Sequence, residues 1–163
     1  MNMFEIKKFL KENREVLIAI FIPIVLGLIV GLITKNGMRN IKYLNLPEFY
    51  PPAILFPIVW TILYGLMGYS AYLVYSEYSC YNRICLLIYF VQLIINLLWS
   101  IIFFNLELRL FALIWLILLD IVVIYMIWCF YGINKKAAYY QIPYLVWIIF
   151  ATFLNYTIYV LNR

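Results

Sequence analysis

The chain has 163 residues, of which 68% are hydrophobic, and a mean hydropathy of +1.00, far more apolar surface than a soluble domain of this size can bury. Its net charge of +5 comes from Lys and Arg set between apolar runs rather than along one basic face, which reports membrane topology and argues against a nucleic-acid partner. Histidine is absent altogether, which excludes His-ligated haem, His-containing zinc sites and Ser-His or Cys-His catalysis; the sequence offers no metal site and calls for no cofactor.

Backbone polar groups in lipid must be satisfied within the segment or by barrel closure. The apolar runs here are continuous rather than alternating, so the sequence predicts an all-α membrane protein, a bundle of five transmembrane helices forming one domain over residues 1–163. The spans fall at about 16–34, 52–75, 82–104, 109–131 and 138–161. Before them, MNMFEIKKFLKENRE is expected to form a short amphipathic interfacial helix with Phe4, Ile6, Phe9 and Leu10 dipping into the headgroups, because the apolar run that follows is too long for a cleaved leader.

The first span holds Gly27 and Gly31 in GLIVG, a spacing that brings two helix backbones together, either within the chain or in a homodimer. After it comes the longest connection, Lys35 to Pro51, with Lys35, Arg39, Lys42, Tyr43 and Phe49; a long loop in a tightly connected bundle is usually functional or disordered. Pro51 and Pro52 fit the start of the second span, where a missing N–H costs nothing. Trp60, Tyr64 and Met67 follow at i, i+4 and i+7 and share one face, as a packing stripe or a binding wall.

Cys80, Cys85 and Cys129 show no repeated spacing, and their odd number gives no disulfide framework, so they are expected to be reduced and buried. The third span carries Gln92, Asn96 and Ser100 at i, i+4 and i+8 with Trp99 beside them, a polar stripe that must turn inward in hydrocarbon and that suits a lined cavity. Asp120 in the fourth span is the one carboxylate or basic group deep within a span, and no cation sits at matching depth. Placing it at the midplane costs about 2.5 to 3.5 kcal/mol, so it should be protonated or hydrogen-bonded to other spans, in a structural or a functional role. The fifth span puts Tyr144, Trp147, Ala151 and Asn155 on one face, with Pro143 in its first turns. Seven Lys and Arg on the N-terminal side against five on the other place the N-terminus in the cytoplasm, of a multi-pass protein expected in the cell membrane.

These motifs resemble the tryptophan-rich sensory protein and translocator protein family (TspO/MBR, or peripheral benzodiazepine receptor family). The carrying residues are Pro47, Pro51 and Pro52 in PEFYPP; Pro57, Trp60, Tyr64, Met67 and Gly68 in FPIVWTILYGLMG; Asn96, Trp99 and Ser100; Asp120; and Pro143, Tyr144, Trp147, Ala151 and Asn155 in PYLVWIIFATFLN. The resemblance implies a ligand cavity within five helices, opening toward the first loop. It implies binding of tetrapyrroles such as protoporphyrin IX and, in part of the family, sterols and benzodiazepine-type ligands. Phe49 stands where the family usually has Trp.

The expected function is therefore a membrane receptor or binding protein for porphyrins and related hydrophobic molecules. Its expected ligand-binding residues are Trp60, Tyr64, Asn96, Trp99, Ser100, Asp120, Tyr144, Trp147 and Ala151. Two alternatives follow from the same resemblance: light-dependent porphyrin degradation, with Trp60 and Trp147 as candidate redox-active residues, and transport of a tetrapyrrole or sterol. The absence of an evident inverted repeat ranks transport lower.

Overall fold

The computed structural model describes residues 13–163; the interfacial segment expected around Phe4 to Leu10 lies outside the described residues. The described chain is helical. Helix α1 is Arg14–Arg39 and continues as a 3-10 turn, Asn40–Tyr43; α2 is Leu55–Tyr75; α3 is Asn82–Ser100 and runs into a π-helical turn, Ile101–Asn105; α4 is Arg109–Ile133; a short α5, Lys135–Tyr140, leads into α6, Ile142–Leu161. Taken with their continuations, these make five segments long and apolar enough to cross a membrane. The side chains turned outward are large and apolar, such as Phe21, Leu28, Leu32, Ile62, Leu87, Ile117 and Ile121, as contact with a lipid bilayer requires.

Helix α2 begins at Leu55, three residues after Pro52. Pro52 forces Pro51 into an extended conformation, and the chain turns before it coils, with the Leu55 N–H donating to the Pro52 carbonyl at 2.9 Å. Pro57 occupies the first turn instead, where its missing N–H is harmless. Helix α1 runs five residues past the expected Thr34, straight through Gly37. A Cβ on Gly37 would collide with the Phe104 carbonyl, so glycine there serves the close approach of α1 to the π-helical turn. Asn105 Nδ2 donates to the Ile33 carbonyl at 3.3 Å beside this contact.

The glycine pair of α1 divides. A Cβ on Gly27 would run into the Tyr64 ring of α2, so its close approach is intramolecular, whereas Gly31 faces open space. The cysteines depart from expectation: Cys85 and Cys129 form a disulfide between α3 and α4, and Cys80 is exposed. Parity concealed this bond. What brings the two sulfurs together is the antiparallel register of α3 and α4, which sets Cys85, in the first turn of one, beside Cys129, in the last turns of the other, with their Cα atoms 5.8 Å apart.

The interior has two parts. A larger cluster is built on Met67, Val74, Leu93, Leu119, Val123, Met126, Phe130 and Ile148, and a smaller one on Ile102, Phe103, Ala112, Leu154 and Ile158 toward the end of the bundle that carries the α1–α2 connection.

Candidate ligand site: a polar axis beneath packed aromatic rings

Asn96 is the node from which the candidate site is built. It is 2% exposed in the middle of α3 and its amide uses both ends. Its Oδ1 accepts from the Tyr64 hydroxyl of α2 at 2.9 Å, and its Nδ2 donates to the Tyr144 hydroxyl of α6 at 3.1 Å. Tyr144 in turn donates to Gln92 Oε1 at 2.9 Å, one turn before Asn96 on α3. Four side chains from three helices thus share one directional chain, buried in hydrocarbon, where each bond lacks competition from water.

The helical spacings explain why these side chains meet. Tyr64 and Met67 turn into the core on the face that Trp60 begins, and Gln92 and Asn96 lie one above the other on α3. Trp60 is half-buried over the network. Its ring lies 5.3 Å from that of Tyr64 and 6.4 Å, edge-on, from that of Tyr144. Ser100 is half-buried one turn beyond Asn96, where α3 widens into the π-helical turn, and stays outside the hydrogen-bonded chain.

A second group of rings stands beside this network. Trp147 is half-buried and packs against Phe56 at 6.0 Å and Phe150 at 5.6 Å; Phe56 meets Tyr50 at 5.6 Å. The α1–α2 connection descends alongside α6. Asn45 and Asn162 are paired through the Asn45 N–H to Asn162 Oδ1 and Asn162 Nδ2 to the Asn45 carbonyl, both at 2.9 Å. Further down, Phe49 stacks on Phe153 at 5.4 Å, and Phe56 reaches Trp147. Leu44, Leu46 and Tyr50 pack onto the smaller core cluster, and burial pushes the Tyr50 phenol up from its ordinary pKa. The connection is therefore a packed cover, and Phe49 supplies its aromatic contact without an indole. Lys35, Arg39 and Lys42 are exposed at the adjoining end of α1.

The remaining predicted residues are held separately. Trp99 stacks on Phe103 at 5.3 Å. With the Asn155 amide oriented to satisfy both its partners, Trp99 Nε1 donates to its oxygen at 3.3 Å and its nitrogen donates to the Arg109 carbonyl at 3.2 Å. Asp120 is half-buried between α4 and α6, where Thr152 Oγ1 donates to its Oδ2 at 2.9 Å, the hydrogen bond to another span that the sequence led us to expect. Ala151 is half-buried against the larger core cluster, one turn beyond Trp147. Trp60, Tyr64, Asn96 and Tyr144 are thus brought together directly, Trp147 and Ala151 lie along the same helix as Tyr144, and Trp99 and Asp120 each serve a different helix pair.

Phe56 and Thr152 were not singled out from the sequence. Phe56 lay hidden among the aliphatic residues that open α2, and Thr152 beside the more conspicuous Ala151. An open apolar groove of 360 Å³ between α3 and α4, lined by Leu87, Ile88, Val91, Ile121, Val122 and Tyr125, contains none of the predicted site residues. It has no convergent polar groups, the feature that fixes a ligand's orientation.

The model of the TspO/MBR family matches residues 19–161 of the chain. The tryptophan-rich protein TspO of Archaeoglobus fulgidus is 42% identical over 116 residues, covering 71% of this chain and 75% of that protein. The human translocator protein is 33% identical over 138 residues, 82% of each chain. The tryptophan-rich sensory protein of Cereibacter sphaeroides is 34% identical over 113 residues, 69% of this chain and 70% of the relative.

Proposed function

The chain belongs to the TspO/MBR family, and from that premise we propose that it is a membrane binding protein for flat, hydrophobic, porphyrin-like molecules, with protoporphyrin IX as the ligand to test first. The observation that carries this reading is the seating of Trp60 on Tyr64 and Tyr144, whose hydroxyls are both tied to Asn96. An indole held over two pinned phenols presents a rigid face for a macrocycle, and each good ring pair contributes about 0.5 to 1.5 kcal/mol beyond area burial. Trp147 and Phe56 form the second wall, and the ligand enters as the connection around Phe49 and Tyr50 lifts from α6. Without histidine there is no imidazole for an axially held iron, so the free-base porphyrin suits the site, with Lys35, Arg39 or Lys42 meeting its carboxylates.

Titrating protoporphyrin IX into the purified protein should quench tryptophan fluorescence to saturation, and Trp60→Phe should weaken the ligand about tenfold, the loss of roughly 1.4 kcal/mol. Unsaturable quenching in well-folded protein would sink the proposal. The same complex under illumination separates binding from degradation: a binding protein leaves the porphyrin spectrum unchanged beyond ordinary photobleaching, whereas conversion lost in Trp60→Phe and Trp147→Phe with binding retained marks chemistry. Uptake into liposomes above protein-free controls would mark transport.

We place the N-terminal side of the bundle in the cytoplasm of the cell membrane, following the basic-residue balance. Cys80 reports on this directly. It is exposed in the α2–α3 linker, on that same side, and the other two cysteines are bonded to each other. A membrane-impermeant maleimide should label it only after intact cells are permeabilised; labelling of intact cells reverses the orientation.

A further inference from the structure

The hydrogen-bonded chain on the bundle axis does not close on itself. It runs from Tyr64 through Asn96 and Tyr144 to Gln92, and there Gln92 Nε2 remains, a buried donor with no partner among the described residues. Three more buried polar atoms share this condition in the adjoining turn: the Tyr89 hydroxyl and both the Nε2 and Oε1 of Gln141. Tyr89 is 2% exposed, and Gln92 and Gln141 are fully buried.

Their positions are related by register. Helices α3 and α6 run in the same direction, as the third and fifth spans of an alternating bundle, and the Gln92–Tyr144 bond fixes their relative level. Three residues back along α3 is Tyr89, and three residues back along α6 is Gln141. Each is therefore displaced by about 4.5 Å in the same direction, Tyr89 buried with its ring stacked on Phe130 of α4 and Gln141 buried at the residue that opens α6. Four orphaned donors and acceptors in adjoining turns of two helices that already share the Gln92–Tyr144 bond cannot all remain unpaired in an apolar interior.

We propose that this level of the bundle is a hydration site, in which ordered water bridges Tyr89, Gln92 and Gln141 and extends the Tyr64–Asn96–Tyr144 chain to the break between α5 and α6. Water suits the set because it both donates and accepts. It takes hydrogens from the Tyr89 hydroxyl and the two amide nitrogens and returns one to Gln141 Oε1, giving each molecule the two to four partners that a buried water needs. The axis is then polar and hydrogen-bonded from beneath Trp60 to the short α5, while the lipid-facing surface stays dry.

Two conservative variants test this, because a truly orphaned group and a hydrated one respond with opposite sign. Removing an orphan by an apolar isostere relieves its desolvation and stabilises; removing a partner of a bound water leaves the other partners unsatisfied and destabilises. Tyr89→Phe and Gln141→Met should each lower the melting temperature by a few degrees. The double variant should fall by less than the sum, since both act on the same water cluster. A rise in either single variant, or strict additivity, overturns the proposal. A high-resolution map of the unmodified protein gives an independent reading: water density within hydrogen-bonding distance of Gln141 and Tyr89 supports it, and a direct amide–hydroxyl bond filling that space overturns it.

Discussion

Asn96→Leu should destabilise the bundle by about 1 to 3 kcal/mol, since interhelical hydrogen bonds in bilayers contribute about 0.6 kcal/mol on average and about 1.7 at most, and this residue makes two. The two partners do not suffer equally. Tyr144 keeps Gln92 as an acceptor, while Tyr64 loses the one acceptor it has and becomes a buried hydroxyl without a partner. Adding Tyr64→Phe to Asn96→Leu should therefore recover part of the loss, because it removes the stranded group rather than a working bond. Thermal unfolding in detergent of the two single variants and the double one measures this. A loss below about 0.5 kcal/mol for Asn96→Leu would mean that the chain of bonds is incidental to stability. Ligand affinity should fall in parallel, because Trp60 rests on the two rings that Asn96 pins.

That Asn96 would turn inward was legible from the sequence, because a polar stripe at helical spacing inside an apolar run has nowhere else to go. The same logic recovered the five spans, the shared face of Trp60, Tyr64 and Met67, and the tie from Asp120 to another helix, all of which depend on local periodicity or on the expense of a charge in lipid. What escaped depends on contacts between distant segments. Gly37 falls in the connection expected after Thr34, yet α1 passes through it, and glycine is needed there because the Phe104 carbonyl comes too close for a side chain. The Cys85–Cys129 bond follows from the register of two antiparallel helices, and no count of cysteines contains a register. The connection after α1 is expected from its length to be functional or disordered, and only contacts between distant segments show how it is held: Asn45, Phe49 and Tyr50 fasten it to α6 and α2 through partners more than a hundred residues away or across the turn at Pro52. Trp99 and Ser100 sit on the predicted face of α3, but the widening of that helix into a π-helical turn and the pull of Phe103 and Asn155 decide what Trp99 touches.

Ala151→Leu should weaken protoporphyrin IX at least about a hundredfold, equivalent to roughly 2.7 kcal/mol, while leaving the protein folded. Ala151 is half-buried one turn beyond Trp147, and the small methyl group leaves room beside the indole that a leucine would occupy. On its flanks, Phe150 packs on Trp147, and Thr152 bonds Asp120, so α6 is fixed on both sides of the position and cannot turn to move the new side chain elsewhere. The competing account gives Ala151 a packing role against the larger core cluster, where it also makes contact. Overpacking of that kind would lower stability by about 1 to 3 kcal/mol whether or not a ligand is present. Affinity and melting temperature measured on the same variant discriminate the two. A hundredfold loss of affinity with a small change in melting temperature places the porphyrin against α6 between Trp147 and Ala151; unchanged affinity removes Ala151 from the site, whatever happens to stability.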